Sequence, residues 1–411
     1  MKSLASLLFV LLSFTANADI KLIAGNVIDQ SNVENYAVYL DKPVIDLISE
    51  GLLTVKIGEH FDIPLNTRFR ELTEKNKTLT LDAETGQINN YQDGLPFPQK
   101  PLEHDPLAGL KLAWNMRYAY GGDTSLVDPF IWDYINMKNA KVERTLEFIG
   151  KILRYKHRLV MEPIPDLPKN PVGIFNGIYL QATEPFDLKN TQLLVHRLDD
   201  DSARERTWLY LSVQRRVRRL PAGQTTDAFL GSDIMIEDFL GYNGRINDMS
   251  WSYLGTRQLL APLYKHNEIS EEAKSEKSLQ YKFGSFHGQG NCFPNVPWQL
   301  RELYVLEATP KLNDHPLSKR IFYVDSQTHI PIAGRYYDRS KKIWRIAISG
   351  FSHPDYHLEQ NKGSGVAVPT LISMIDVEAK HCTTLKMKTR INSQSVKQKD
   401  FTVQSLRSRG K

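Results

Sequence analysis

Four stretches of this chain have residue types and spacings that invite a chemical reading. His353-Pro354-Asp355-Tyr356-His357 sets two imidazoles four residues apart, the spacing of metal ligands on one helical turn, but Pro354 argues against that turn and a surface loop is expected. Gly284 to Cys292 (GSFHGQGNC) places a thiol beside glycines, as a nucleophile loop does. With no helix following it and no identifiable Cys–His partner, it reads as a flexible loop. Leu198-Asp199-Asp200-Asp201 offers acids for a cation but reads as a solvated turn. Arg215, Arg216, Arg218 and Arg219 (RRVRR) suit carboxylates or phosphates. The chain contains no HExxH, no G-x-S-x-G elbow, no Walker loop and no strand-borne G-x-G-x-x-G, so no catalytic residue, metal or cofactor is assigned.

The N-terminus sets the compartment in which those residues would work. Lys2 supplies a positive n-region, Leu4 to Phe14 an apolar h-region, and Ala16-Asn17-Ala18 a small-x-small cleavage site. Residues 1–18 therefore read as a signal peptide cleaved after Ala18, and the product as a secreted, periplasmic protein. A retained membrane anchor is the alternative, but the apolar run is short for a span. In an oxidising compartment Cys292 and Cys382 read as one disulfide, with two unpaired buried thiols as the other reading.

Composition narrows the classes further. A net charge of +5 is too small to argue for nucleic acid. The 18 Tyr, 17 Phe and 6 Trp favour strands over a helical bundle. Beyond Cys382 eight Lys or Arg face only Asp400, so residues 391–411 read as a solvated basic tail, with a lipid headgroup or acidic partner as alternatives. No linker divides residues 19–390, which read as a single β-rich domain.

The elements that must position these groups are mostly strands. Asn66 to Asn76 predicts a short helix, residues 95–106 a Pro-rich connector, and 107–120 a helix with Leu110, Trp114 and Tyr118 on one face. From about Glu143 strand-forming segments alternate with turn formers, the pattern of an all-β sandwich or barrel. A meander is expected through 301–309, 319–325, 330–338 and 341–349. Ser232 or Asp233 is expected to cap a short helix over 234–240, and Tyr242 to Arg245 contains an Asn-Gly turn signal. No βαβ alternation appears, which excludes a doubly wound parallel sheet.

The arginine run falls at the end of a strand predicted over 207–220. Alternation puts Leu209, Leu211, Val213, Arg215, Val217 and Arg219 on one face, and Trp208, Tyr210, Ser212, Gln214, Arg216 and Arg218 on the other. The arginines then either pair with Glu237 and Asp238 of the short helix or form a rim that meets an anionic headgroup.

Several segments resemble the bacterial domain-of-unknown-function 1329 family. They are TWLYLSVQRRVRRLP, SDIMIEDFLGYNGRINDMSWSYLG, LYVLEATPK, HPLSKRIFYVDSQTHIPIAGRYYDRSKKIWRI and LPFPQKPLEHDPLAGLKLAWN, covering most of residues 90–350. The resemblance implies an α+β, β-dominated fold: a large curved antiparallel sheet, a LolA/LolB-like open half-barrel with helices on its concave side. It also implies a periplasmic carrier of a lipid or other hydrophobic molecule, working with an inner-membrane export pump and an outer-membrane protein. On that reading Trp208, Tyr210, Trp251, Tyr253, Tyr304 and Phe322 line the cavity, although each also suits an ordinary core. A secreted hydrolase and an interaction scaffold without a ligand are the alternatives.

Overall fold

The computed structural model describes residues 21–82, 84–269, 275–276 and 281–410, so the expected signal peptide lies outside the described residues. Fourteen strands form the main sheet. In chain order they are β1 Thr124–Asn136, β2 Lys141–Arg154, β3 Ile174–Glu184, β4 Gln192–Leu198, β5 Arg206–Leu211, β6 Arg216–Leu220, β7 Met249–Ala261, β8 Leu263–Tyr264, β9 Gln299–Pro310, β10 Lys319–Asp325, β11 Pro331–Tyr337, β12 Ile343–Ser352, β13 Val368–Asp376 and β14 His381–Ile391. Among the described residues five α-helices flank it: α1 Val33–Tyr36, α2 Lys42–Ser49, α3 Thr67–Thr73, α4 Ala108–Tyr118 and α5 Val403–Arg409.

Two antiparallel meanders, β1 to β6 and β9 to β14, meet where β14 pairs β1 (His381↔Asn136). The full order is β6-β5-β4-β3-β2-β1-β14-β13-β12-β11-β10-β9-β7. Beyond Pro262 the chain of β7 continues as β8, which pairs in parallel with the end of β12 (Leu263↔Phe351). The sheet thus curls over on that side and remains unclosed at β6. The meander expected over 301–349 is β9 to β12, within a few residues at each end.

One strand boundary is corrected. Residues 207–220 form not one strand but the hairpin β5–β6, turning through Ser212 to Arg215 with Arg215 at φ 49°. The turn is closed by backbone bonds from Gln214 N to Leu211 O (3.1 Å) and from Arg215 N to Ser212 O (3.2 Å). Reversal changes the faces. Leu209 now lies opposite Arg218, and Trp208 opposite Arg219.

Both faces of the sheet are covered. On one, α4 lies over β7, β9 and β10, and an irregular segment (222–248) lies over the rest. On the other, α1 and α2 pack on β12 and β13, and α5 packs on β3 to β6. The short helix expected from Asn66 is α3, and Asn66 caps it, its side chain accepting from Phe69 N at 3.2 Å. The helix expected over 107–120 is α4, and it is buried nearly all round rather than on one stripe. Gly109 is why it seats so closely, because a Cβ there would stand 2.6 Å from Trp251 O.

The C-terminal residues are not a free tail. Val396, Phe401 and Leu406 enter the core beneath β3 to β5, and Asp400 accepts from Lys151 Nζ at 2.7 Å and pairs with Arg409. Burial of those apolar side chains outweighs the exposure that the basic composition suggested. Cys292 and Cys382 are joined by a disulfide that ties the 284–292 stretch to β14. That stretch is a short ribbon, Ser285–His287 against Phe293–Asn295, and not an irregular loop.

Candidate functional site

The candidate site is the apolar face of the sheet together with the segment (222–248) that covers it. This cover has little regular structure because its side chains compete for its own backbone. Asp238 accepts from Met235 N at 2.9 Å, Ser232 Oγ accepts from Ile234 N at 3.2 Å, and Leu230 and Leu240 take φ of 51° and 57°. The helix expected over 234–240 is therefore reduced to a 3₁₀ turn, Ile236–Asp238. Asp233 is not its cap. It holds β14 instead, bonding Thr383 Oγ1 and His381 Nδ1, each at 2.8 Å.

Apolar contact seats the cover. Phe229, Ile234, Met235, Ile236 and Phe239 rest on a floor that includes Phe130, Trp132 and Phe148. The Trp132 ring lies 5.9 Å from Phe229 and 6.3 Å from Phe239, edge to face.

A buried charge cluster fixes its position. Glu237 Oε2 accepts from Arg320 Nη2 at 2.5 Å and stands 3.1 Å from His315 Nε2, while Asp238 Oδ1 lies 3.4 Å from the same Nη2. Arg320 is fully buried, between the rings of Tyr242 and Tyr336 at 5.6 and 5.5 Å. Burial pushes the Glu237 carboxyl up, but Arg320 and His315 outweigh it and hold the group at about 2. Asp238 goes the other way: burial raises it, and its longer approach to Arg320 does not compensate. Gly244 leaves room for the cluster, since a Cβ there would meet Glu237 Oε1 at 2.7 Å.

A second cluster holds the α4 side. Arg117 Nη1 donates to Asp201 Oδ1 at 2.5 Å, and Asp201 also accepts from Ile246 N and Asn247 N. Arg197 donates to the carbonyls of Tyr242 and Gly244; burial, then Arg117, push it down to about 9, so it stays charged at neutral pH. The Leu198–Asp201 stretch is thus no solvated turn. Asp201 is buried, and Asp199 pairs with Lys156 (2.5 Å) and His157 (3.2 Å).

The expected lining residues fall into two groups. Trp251, Tyr253, Tyr304 and Phe322 come together under α4, with Trp251 stacked on Phe322 at 6.1 Å and Tyr253 6.3 Å from Tyr304. Trp208 and Tyr210 lie on the opposite face, in the cluster beneath α5. The expected pairing of the arginine run with Glu237 and Asp238 does not form: Arg320 occupies those acids, and Arg215, Arg216, Arg218 and Arg219 are exposed on the edge hairpin. Arg320, His315, Arg117 and Arg197 had no local signal in the sequence. The Glu237–Arg320 partners, for example, stand 83 residues apart.

Under the cover, Phe130, Trp132, Phe148, Phe229 and Phe239 pack against one another. On the opposite face, a small void between α2 and the sheet, lined by Leu40, Val44, Trp298 and Tyr323 among others, has a volume of about 20 Å³, room for one water. An open cleft of about 410 Å³ lies at the far end, between α3 and the turn at Gln327 and His329. The His353–His357 stretch is a 3₁₀ turn and not an open loop, with His357 Nε2 2.7 Å from Tyr281 Oη. Among the described residues no three His, Cys, Asp or Glu side chains gather as metal ligands do.

An unclosed antiparallel sheet with one aromatic face under a short helix and an irregular cover defines an α+β half-barrel. The chain belongs to the DUF1329 family, described as a protein of unknown function, whose family model matches residues 27–407. It is 24% identical over 402 residues to the uncharacterized protein PA3922 of Pseudomonas aeruginosa, covering 93% of this chain and 81% of that one. Two solved structures share its fold at a TM-score of 0.50 and 16% identity, each over 74% of this chain. One is a domain from Vibrio parahaemolyticus with the provisional description outer membrane lipoprotein-sorting protein, covered in full. The other is a DUF1329 family protein from Desulfovibrio piger, covered over 99% of its length.

Proposed function

We propose that this protein is a periplasmic carrier or accessory factor that binds a lipid or other hydrophobic molecule in an envelope transport system. The observation that carries this reading is the cover. Five apolar side chains seat it on an aromatic floor, but its backbone joins no strand of the sheet beyond one isolated bridge within itself, Ala228↔Met235. A segment held by side chains can lift as a unit, and the surface it bares is apolar and concave enough for an acyl chain. In this conformation the cover occupies the place a ligand would take. The lipoprotein-sorting description of the Vibrio parahaemolyticus relative supports the same class of cargo. An inner-membrane export pump and an outer-membrane protein are the partners such a carrier would serve.

The test is chemical. Protein purified without detergent should release lipid into an organic extract, detected by mass spectrometry, and an apolar fluorescent probe should bind in competition with it. Empty extracts together with no probe binding would overturn the carrier reading. They would favour a second one, an interaction scaffold without a ligand, to which the close apolar packing of the cover on its aromatic floor already points.

A further inference from the structure

One end of the sheet carries an arrangement that the core does not require. The hairpin β3–β4 turns through 185–191 and the hairpin β5–β6 through 212–215, and register places both tips side by side (Gln181↔Gln192, Gln192↔Tyr210). Thr191 Oγ1 and Ser212 Oγ, 3.3 Å apart, bridge them. Each tip bares one large apolar side chain: Phe186 is 88% exposed and Val213 85%. No other large apolar residue among those described is exposed to this degree, the next being Val38 at 74%.

Positive charge surrounds the two tips. Arg215, Arg216, Arg218 and Arg219 are exposed along the turn and β6, and none stands in an ion pair with a described residue. The helix α5 brings Arg407 to the same corner, because Gln192 Nε2 donates to Leu406 O (3.1 Å) and Tyr210 Oη to Gly410 O (2.6 Å). The acids of the neighbouring tip are already engaged, Asp187 by Arg144 at 2.9 Å and Glu184 by Lys189 at 3.9 Å.

Charges on an edge strand can serve only to block pairing with another sheet. That role accounts for β6 but not for Arg407, which is on a helix, nor for two bared apolar tips, which make an edge more adhesive. Apolar side chains that protrude amid unpaired guanidinium groups complement one kind of surface. It has fixed negative charge at its face and an apolar layer a few ångströms beneath.

We propose that this corner docks on an anionic lipid bilayer, with Phe186 and Val213 entering the headgroup–acyl boundary and the arginines holding lipid phosphates. The proposal stands apart from the carrier reading, since it needs no cavity and no lifted cover.

Co-sedimentation of the purified protein with vesicles of phosphatidylglycerol and phosphatidylcholine, against phosphatidylcholine alone, tests it. Binding to the anionic vesicles should be at least tenfold tighter and should weaken as salt is raised. The triple variant R216Q/R218Q/R219Q should lose tenfold or more, the corresponding lysine variant should retain most of the binding, and F186S/V213S should weaken it several-fold even at low salt. A control, R68Q/R70Q on α3, should bind as the parent does. All these side chains are exposed, and unchanged circular dichroism and Tm identify the variants that have folded. Binding to neither vesicle, equal binding to both, or equal losses in the control and the triple variant would each overturn the proposal. The first of these leaves an acidic protein as the corner's partner.

Discussion

Arg320 reaches from β10 to place Nη2 2.5 Å from Glu237 Oε2, a buried charge pair that is the shortest of the polar ties holding the cover to the sheet. Removing one member of such a pair leaves the other charge buried and unsatisfied, which costs about 3–5 kcal/mol. Arg320→Met should lower stability by about that amount in urea denaturation. Adding Glu237→Gln to it should restore part of the loss, because the stranded carboxylate is gone. A double variant no more stable than the single one would show that the pair does not govern the cover's seat.

The disulfide makes a different kind of tie. Cys292 and Cys382 are 90 residues apart, so the bond removes a large closed loop from the unfolded ensemble. For a loop of that length chain entropy gives roughly 4–5 kcal/mol. C292S/C382S should fall in stability by an amount of that order, and reductant should bring the parent down to the variant's level in the same denaturation assay. The bond also anchors the 284–292 ribbon, where Gly290 backs so closely onto Met137 that a Cβ there would stand 2.6 Å from Met137 Cα. Proteolysis within 284–292 should accordingly accelerate on reduction.

Gly109 sets how closely α4 lies on the aromatic face. With a virtual Cβ 2.6 Å from Trp251 O and 2.7 Å from Ser252 N, any side chain must push the helix off β7. Backbone cannot yield as a flexible side chain can, so Gly109→Val should cost about 1–3 kcal/mol by overpacking. It should also raise exposure of Trp251, read as a red shift of tryptophan emission. Gly121→Ala is a fitting control for simple loss of chain freedom, since nothing lies within 4 Å of that position and its φ is outside the left-handed region.

What could be read from the sequence, and what could not, follows from how local each signal is. The meander β9 to β12 was legible because β-branched and aromatic runs alternate with Asn-Asp, Asp-Ser and Asp-Arg-Ser links, all within fifty residues. The helices α3 and α4 were equally local. The β5–β6 reversal was hidden because Ser212-Val213-Gln214-Arg215 contains no Gly, Asn or Pro, and Arg215 takes the left-handed conformation without the usual residue. Glu237 and Asp238 are legible as acids that need a basic partner, but the partner is not the one the sequence places nearest. Four arginines stand near them in sequence, whereas Arg320, 82 and 83 residues away, is brought in by the topology. Likewise Trp208 and Tyr210 share a residue type with Trp251 and Tyr304 but not a face, and only the sheet's register separates them.

Acid should unfold this protein through its histidines before its carboxylates. Burial holds His196, His266 and His329 at about 4, and burial together with His266 and Lys388 holds His357 at about 3. An unfolded histidine titrates near 6.5, so between that value and about 4 the unfolded chain binds protons that the native state refuses. The stability contributed by these neutral side chains is complete above about pH 6.5 and is lost as the pH falls toward 4. His157 and His381 titrate in the other sense. For His157 burial is outweighed by Asp199 and Asp93, and for His381 the bond to Asp233 dominates, so both are raised and change stability only above about pH 6.5. Glu237, held at about 2, loses its contribution only as the pH falls below about 4.3. From pH 6.5 to 4.5 the buried neutral imidazoles lead, and burial lowers His287 and His353 in the same sense. Glu205 and Asp238, raised by burial, take up protons in the native state and offset part of the loss toward the lower end. Across this window Tm should fall, and His196→Phe, which replaces a ring bonded to Phe401 O by an apolar one, should flatten the slope. A Tm that holds level from pH 6.5 to 4.5 would mean that these rings take up protons in place, and that the packing around them opens far more readily than their burial requires.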